Sequence, residues 1–408
     1  MSGQQNKNTH PNRLSDPSID KRGYYTSILK LFLENAFNAR LPMLIPTEEI
    51  DHIYITRLID IELTPAPGHS IAPNVLSSMK LMAVDMLNVT HISTGLDEPA
   101  QLPLLHYLSL VFTMIKYNNN LDDKKYDTVA GVKNALSTLA AYEYGEAMQQ
   151  AWQKYKNIMQ VIALLHSDLG SCCYIIKHRP GNTADKKPGL LLHMEVYALK
   201  TATTDRLING APRTLYRLGI GMPFPQAHIQ YVNARYTNGA DETSLPVYVI
   251  PQALKRLQER VDDLYPGLLQ ASLAGSFLQL RTCTSPAGEL LFEYRLFNYK
   301  VGYFTGQIAD NTIILINFLF LTNNLTPEYA LLHSSNSLTS QDKNYLNLNK
   351  LSTFVLSDIR NNPAAKQAFE AAGFHDLLSM DKQLLLSGIR HKERLATTYI
   401  VEELLPAL

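Results

Sequence analysis

The chain has 408 residues, of which 46% are hydrophobic and 18% are charged, so it contains enough apolar material for a sizeable core. This composition excludes disorder over the whole chain, and the length favours two domains. Lysine plus arginine and aspartate plus glutamate both number 37, and the resulting net charge of zero excludes a chain-wide attraction to nucleic acid or anionic lipid.

Residues 1–22 and the three cysteines favour the cytoplasm. Residues 1–22 are polar and lack the apolar region of a secretory signal, so we expect a flexible arm. Three cysteines cannot form a disulfide framework, adjacent Cys172 and Cys173 do not make a Cys-x-x-Cys motif, and the count suits a reducing compartment. The most apolar run, 313–321, is far shorter than the roughly 20 residues of a membrane-spanning helix, so no membrane partner is expected.

Residues 23–170 follow helical periodicity. Thr47, followed by two glutamates, is typical of a helix start, and this helix is predicted to continue through 58–61 until Pro65 breaks it. Apolar residues spaced three and four apart predict further helices at 73–88 and 101–117, and one or two long helices over 127–168. We therefore predict a helical domain over 23–170.

After Gly170 the apolar pattern becomes short, extended and interrupted by Gly, Pro and Asn. Strands are predicted at 172–178, 190–199, 214–220, 227–236 and 246–250. Pro251 opens a helix at its first position, with Leu254 and Leu257 in the buried stripe, and this helix ends before Pro266.

Three runs of about nine residues follow, at 290–298, 301–309 and 312–321. Their short connections require antiparallel pairing, and the third run is apolar on both faces, which predicts a central covered strand. The predicted fold is therefore α+β, with an N-terminal helical domain followed by an antiparallel-sheet domain with flanking helices. The second domain spans 171–408, includes the helix and three-stranded meander of 251–321, and ends in a helical tail over 339–408.

Familiar catalytic motifs are missing from the sequence. It contains no Walker loop, no Gly-x-Gly-x-x-Gly, no His-Glu-x-x-His and no Gly-x-Ser-x-Gly. Positive charge is nevertheless concentrated in the middle, where 171–260 contains 12 lysines and arginines against 6 aspartates and glutamates. An anion-binding surface is expected there, although solvated surface charge explains the same excess.

The helix predicted from Pro251 carries the most suggestive pattern. Residues 252–260 read Gln-Ala-Leu-Lys-Arg-Leu-Gln-Glu-Arg and precede the three strands. This segment resembles small ribonuclease toxins of the BrnT and RelE type, in which a His-Ala-x-x-Arg-x-x-Glu-Arg helix precedes an antiparallel sheet. The match lies within 252–321 and consists of Ala253, Arg256, Glu259 and Arg260, whereas Gln252 stands in place of the family's histidine.

The resemblance implies RNA cleavage at this helix. Arg256 and Arg260 lie one turn apart and would contact one phosphate, while Glu259 would orient an arginine or act as the base. Glutamine at 252 does not titrate near neutral pH, so an inactive, RNA-binding or purely structural descendant stays open. An ordinary amphipathic helix with a solvated basic face fits the same residues.

A second candidate surface consists of arginines interleaved with tyrosines on the predicted strands. Such a surface can stack bases and hold phosphates, whereas tyrosine is also simply a good strand former. Its members are Arg213, Tyr216, Arg217, His228, Tyr231, Arg235 and Tyr236. We expect Arg213, Arg217, Tyr231, Arg235 and Tyr236 to contact nucleic acid in such a site.

Other polar residues give weaker indications. His166, His178 and His193 lie near Cys172 and Cys173, but no pair has metal-ligand spacing, so neither a metal nor a cofactor is predicted. Asn323, Asn324, Thr326 and His333 follow the third strand of the meander and fit either a polar pocket or a helix cap.

These patterns leave two main hypotheses. One is a protein directed at nucleic acid, RNA or DNA, related to toxin or host-defence ribonucleases and using Arg256, Glu259 and Arg260. The other is a non-catalytic interaction or assembly protein that binds a protein partner through the helical domain. A small-molecule enzyme with an unrecognised pocket stays open as a third.

Overall fold

A computed structural model describes residues 21–37, 40–97, 99–121, 129–138, 145–179, 190–238, 241–262, 264–335 and 346–383. Almost all of the predicted arm at 1–22 lies outside these residues, as does much of the predicted tail. The chain divides into two compact units. One comprises Met1–Ile61, Leu87–Tyr155 and Gly181–Leu192, and the other comprises Glu62–Met86, Lys156–Pro180 and His193–Leu408.

The described helices and strands confirm the predicted α+β class. The α-helices are α1 Arg22–Ala36, α2 Leu41–Leu44, α3 Thr47–Ile55, α4 Pro73–Val89, α5 Leu104–Asn119, α6 Val129–Ala135, α7 Glu146–His166, α8 Pro251–Arg260, α9 Pro266–Leu278, α10 Pro327–Ser335, α11 Leu351–Leu356, α12 Pro363–Ala371 and α13 His375–Ser379. Short 3₁₀ helices lie at Leu136–Thr138 and Asp358–Asn361.

The strands lie mostly in the second half. They are β1 Leu58–Pro65, β2 His91–Ser93, β3 Gln101–Pro103, β4 Cys173–His178, β5 Leu190–Leu199, β6 Thr203–Ile208, β7 Ala211–Arg217, β8 Gly219–Met222, β9 His228–Tyr231, β10 Asn233–Asn238, β11 Asp241–Val249, β12 Thr282–Thr284, β13 Leu290–Leu296, β14 Tyr299–Ala309 and β15 Thr312–Phe320. No helix in the described ranges is long and apolar enough to cross a membrane.

One element prediction within the first 61 residues was wrong. The helix that begins at Thr47 ends at Ile55, and 58–61 forms the start of β1. The Leu58 amide donates to Thr113 Oγ1 at 3.2 Å, and Ser109 Oγ donates to the Leu58 carbonyl at 2.9 Å. Side chains of α5 therefore satisfy the extended backbone, and this tertiary pairing outweighs the local helical pattern.

The largest sheet has eight strands in the order β12-β13-β14-β15-β11-β7-β6, with β10 also pairing with β11. Its meander is as predicted: β13, β14 and β15 pair antiparallel through two-residue turns at 297–298 and 310–311, where all four residues have positive φ. The pair β11–β15 is parallel, so the sheet is mixed rather than wholly antiparallel. Parallel pairing is possible because α8, α9 and β12–β14 intervene along the chain.

The core of the second unit is built around β15, which lies between β14 and β11 and is buried along most of its length, as predicted. The rings of Tyr294, Phe304 and Phe318 meet there, with centroids 5.2–5.9 Å apart. Helix α8 packs on β15 through Ala253 and Leu257, which are completely buried. This packing fixes which side of α8 is left for polar side chains.

Candidate functional site

Helix α8 places the three predicted site residues on one flank. Ala253 and Leu257 turn toward the sheet, so Arg256, Glu259 and Arg260, at spacings of three and four, share the adjacent side. All three line one pocket of about 320 Å³. The structure therefore brings together the residues that the ribonuclease-like pattern singled out.

The opposite wall of this pocket is the carboxyl end of β15 and the segments that follow it. Asn317, Phe318 and Phe320 come from the strand, Thr322 and Asn323 from the loop after it, and Asn349 from the turn before α11. The Thr322 hydroxyl donates to the Leu348 carbonyl at 2.8 Å, which holds these two segments against each other. The wall therefore offers three side-chain amides, each of which can donate and accept hydrogen bonds.

Arg256 is fixed to the strand. Its Nη1 donates a hydrogen bond to the side-chain oxygen of Asn317, a contact that spans 61 positions in the sequence. The amide oxygen is neutral, so this bond orients the guanidinium without cancelling its charge. The remaining N–H donors of Arg256 stay available to a ligand.

The side chains of Arg260 and Glu259 form no hydrogen bond or ion pair within the described part of the chain. Two arginines four apart repel each other by a few tenths of a kcal/mol, a cost that a bound anion would reverse. Arg260 also lies in the last turn of α8, where a cation complements the helix dipole. The pocket thus has two positive charges on one flank, with a single carboxylate beside them.

The arrangement suits an anion with several acceptor oxygens. Two guanidinium groups can hold phosphate oxygens bidentately, and the asparagine amides can bond to hydroxyls or base edges. Proton transfer has fewer candidates, because Glu259 is the only ordinary acid or base among the described residues that line the pocket, and Gln252 does not line it. The geometry is therefore more complete for binding than for cleavage.

The second predicted surface is divided by the structure. The Arg217 guanidinium lies over the Tyr231 ring at 4.4 Å, and the Tyr231 hydroxyl accepts from the Ala202 amide at 3.0 Å. Arg235 is exposed on β10 and lies 3.7 Å from Glu242. Tyr236 is the next residue of that strand and turns to the other face, where it packs against the core.

Arg213 lies on β7 opposite Arg206 of β6, and Arg206 is paired with Asp310 at 2.8 Å. Arg213 itself is exposed. The structure therefore joins Arg217 with Tyr231, while Arg213 and Arg235 are solvent-exposed cations on separate strands. Tyr236, the fifth residue of the predicted nucleic-acid surface, lies on the opposite face of β10 from Arg235.

The histidines and cysteines have other partners. His166 bonds to Ser78 at 3.0 Å, and His193 Nδ1 lies 2.8 Å from Glu62. Burial raises the pKa of the thiols of Cys172, Cys173 and Cys283, which keeps them protonated and poorly nucleophilic. Within the described ranges, no group of three or more His, Cys, Asp or Glu residues is placed to hold a metal ion.

Sequence reasoning missed most of the polar wall of the pocket. Asn317 was the available signal, because it is the one polar residue inside the apolar run 313–321. Of the residues after the third strand of the meander, for which a helix cap and a polar pocket were the alternatives, Thr326 caps α10 by accepting from the Tyr329 amide at 3.3 Å. Asn323 lines the pocket. Asn349 lies far along the chain and carried no signal.

A buried ionic cluster was also missed. Glu328, at the start of α10, is 4% exposed and accepts from Lys300 Nζ at 2.7 Å and from the Tyr303 hydroxyl at 2.8 Å. Its other carboxylate oxygen has no partner within the described residues. The cluster ties α10 to β14.

Comparison with known proteins adds no relative. No protein-family model matches the chain, and no curated protein and no solved structure shows a significant match to it.

Proposed function

We propose that this chain binds RNA through its phosphate backbone, with Arg256 and Arg260 as the phosphate ligands in the pocket between α8 and the end of β15. The observation that carries the proposal is the pair of arginines one turn apart, which line the same pocket and form no ion pair within the described residues. Charge-assisted bonds from arginine to phosphate are the strongest that such a pocket offers.

The rest of the pocket supports a nucleotide rather than a bare phosphate. Its volume of about 320 Å³ is within the usual range for small-molecule sites. Asn317, Asn323 and Asn349 line the wall opposite the arginines and supply donors and acceptors for a ribose hydroxyl or a base edge. Single-stranded RNA is the expected form, because its bases and 2′-hydroxyls are accessible.

Binding is proposed ahead of cleavage. Cleavage requires a base for the 2′-hydroxyl and an acid for the leaving group. Among the described lining residues Glu259 is the one group that can serve, and it cannot fill both roles at once. A ribonuclease activity related to the BrnT and RelE toxins would therefore depend on Glu259 and would be slow. Arg213 and Arg235, as exposed cations on strands, would extend the path of a longer RNA.

The test is fluorescence anisotropy with a labelled single-stranded RNA of about ten nucleotides and the matching DNA, titrated with wild type and with Arg256→Ala, Arg260→Ala and the double variant. Each lost arginine contact is expected to weaken RNA binding about 10-fold to 100-fold, since bonds to a charged group are worth about 1.5–3 kcal/mol. Loss of one phosphate contact also lowers the salt slope by about one. Arg281→Ala is the matched control, an exposed arginine outside the pocket.

Unchanged RNA affinity in the double variant would refute the proposal. Absence of any salt-sensitive RNA or DNA binding would instead favour the second hypothesis, a non-catalytic interaction protein. The second hypothesis is supported by two apolar side chains of the first unit, Met43 and Ile55, which are 85% and 54% exposed to solvent. A protein partner lost on Met43→Glu would support it.

A further inference from the structure

Helix α8 has a second cavity on its other flank. This cavity measures about 200 Å³ and is bounded by 168–170, the ring of Tyr216, α8 and the start of α9. Pro251, Leu254, Lys255, Leu257 and Gln258 are the residues that α8 contributes, and none of them lines the arginine pocket. The two cavities are therefore chemically separate sites.

Most of the inner wall is aliphatic. Leu169, Leu257 and Leu269 are 4%, 0% and 4% exposed, and partly buried Leu254 lies beside them. Pro251 and Pro266 add two more apolar surfaces. The cavity is smaller than the roughly 300–1,000 Å³ of pockets for drug-sized ligands, so it suits a small aliphatic group.

One buried polar atom in this wall is unsatisfied. Gln270 is 3% exposed, and its Nε2 donates to the Gly219 carbonyl at 2.5 Å. Its Oε1 is buried and has no hydrogen-bond partner within the described part of the chain. An unpaired buried acceptor costs about 1–3 kcal/mol, and because this oxygen is closed to solvent a ligand does not reach it unless the Gln270 side chain moves.

Two opposite charges line the same cavity without meeting each other. Asp168 Oδ1 accepts a hydrogen bond from the Gly170 amide at 2.8 Å, and this bond fixes the position of the carboxylate. Lys255 forms no ion pair with any described residue. The cavity is therefore lined by a carboxylate, Asp168, that is fixed by a hydrogen bond, and by an ammonium, Lys255, that has no ion-pair partner among the described residues, next to an aliphatic wall.

We propose that this cavity binds a free α-amino acid with an aliphatic side chain of leucine size. The ligand's ammonium group lies at the Asp168 carboxylate, its carboxylate lies at the Lys255 ammonium, and its side chain packs on the aliphatic wall. A zwitterion satisfies both charges at once, which a purely cationic, anionic or apolar ligand does not. The proposal does not depend on RNA binding, because it uses none of the arginine-pocket residues.

The test is isothermal titration of the full chain with L-leucine and three analogues. 3-Methylbutylamine lacks the carboxylate, 4-methylpentanoate lacks the ammonium and glycine lacks the aliphatic side chain. Leucine is expected to bind at least 10-fold more tightly than each analogue. Absence of leucine binding would overturn the proposal, and so would equal affinity for leucine and both single-charge analogues.

Variants assign the binding to this cavity. Lys255→Met and Asp168→Asn are each expected to weaken leucine binding at least 10-fold, and the asparagine oxygen can still accept from Gly170. Gly170→Ala narrows the cavity without strain, because an ideal Cβ there would lie 3.5 Å from Asp168 Oδ1 and 3.8 Å from Tyr216. Gly275→Ala is the matched control, since nothing lies within 4 Å of that Cβ. Leucine affinity unchanged in Lys255→Met and Asp168→Asn would overturn the assignment, whatever the RNA experiment shows.

Discussion

Arg256 on α8 donates a hydrogen bond to the side-chain oxygen of Asn317 on β15. The bond joins the predicted phosphate ligand to the one polar residue of an otherwise apolar strand segment. A neutral amide at this position orients the guanidinium but leaves its charge for a ligand. The identity of residue 317 therefore decides whether Arg256 is available to an anion.

Asn317→Asp tests that relationship with almost no change in shape. The new carboxylate would pair with Arg256 and repel phosphate, so RNA affinity is expected to fall about 10-fold or more while the fold is retained. Anisotropy titration measures the affinity, and far-UV circular dichroism checks the fold. Asn361→Asp, at an exposed position outside the pocket, controls for the added negative charge. Equal affinities of the two variants would contradict a role for Arg256 in binding.

Two glycines of α9 are predicted to respond in opposite directions to alanine. A Cβ on Gly267 would lie 1.7 Å from the Leu164 carbonyl oxygen, so Gly267→Ala forces backbone apart and should cost several kcal/mol. Gly275 is exposed, and a Cβ built on it would have no neighbouring atom within 4 Å. Gly275→Ala should therefore stabilise the helix by about 0.5–1 kcal/mol. Urea unfolding followed by circular dichroism measures both free energies. A similar effect of the two substitutions would contradict the close approach at Gly267.

Helices and strands were predicted correctly from the sequence where the local residue pattern and the tertiary structure favour the same element. The meander over 290–321 has short turns that permit only antiparallel neighbours, and Pro251 opens α8 by the rule for first helical positions. Helix α9 was not predicted, because Pro266 served only as the limit of the helix that opens at Pro251. The same proline in fact begins a helix, and the glycine is required by contact with Leu164.

The candidate site was predictable on one side only. Arg256, Glu259 and Arg260 are neighbours in sequence, so helical spacing places them together. Asn349 reaches the same pocket from a turn 89 residues after Arg260, and no local pattern encodes that approach. The parallel pairing of β11 with β15, which positions α8 over the end of β15, likewise depends on contacts distant in sequence.

The buried pair of Lys300 and Glu328 is predicted to be costly to break. The two side chains are 17% and 5% exposed, and Lys300→Met leaves the Glu328 carboxylate buried with the Tyr303 hydroxyl as its one remaining side-chain partner among the described residues. Removal of one member of a buried ion pair costs about 3–5 kcal/mol. Urea unfolding measures this loss, and the double variant Lys300→Met with Glu328→Gln should recover most of it. A single variant as stable as wild type would contradict the burial of the charge.

Tyr303 is predicted to make stability fall at alkaline pH. Burial and then the adjacent Glu328 carboxylate raise the pKa of its hydroxyl above the ordinary value of 10.0. The unfolded chain releases this proton near pH 10 while the folded chain keeps it, so the contribution is complete below pH 10 and is lost as the pH rises further. The loss from this one residue is about 1.4 kcal/mol per pH unit until the folded pKa is reached.

Tyr303→Phe removes that titration together with the hydrogen bond to Glu328. At neutral pH the variant should therefore be less stable by about 1.5–3 kcal/mol, the value of a bond to a charged group. Between pH 10 and 11 the free energy of unfolding of wild type should fall by about 1 kcal/mol more than that of the variant, because the unfolded tyrosine is still partly protonated there. Urea unfolding at pH 8, 10 and 11 compares the two slopes. Parallel slopes would show that the Tyr303 hydroxyl titrates alike in the folded and unfolded chains, because only a difference in its proton affinity between them makes stability depend on pH.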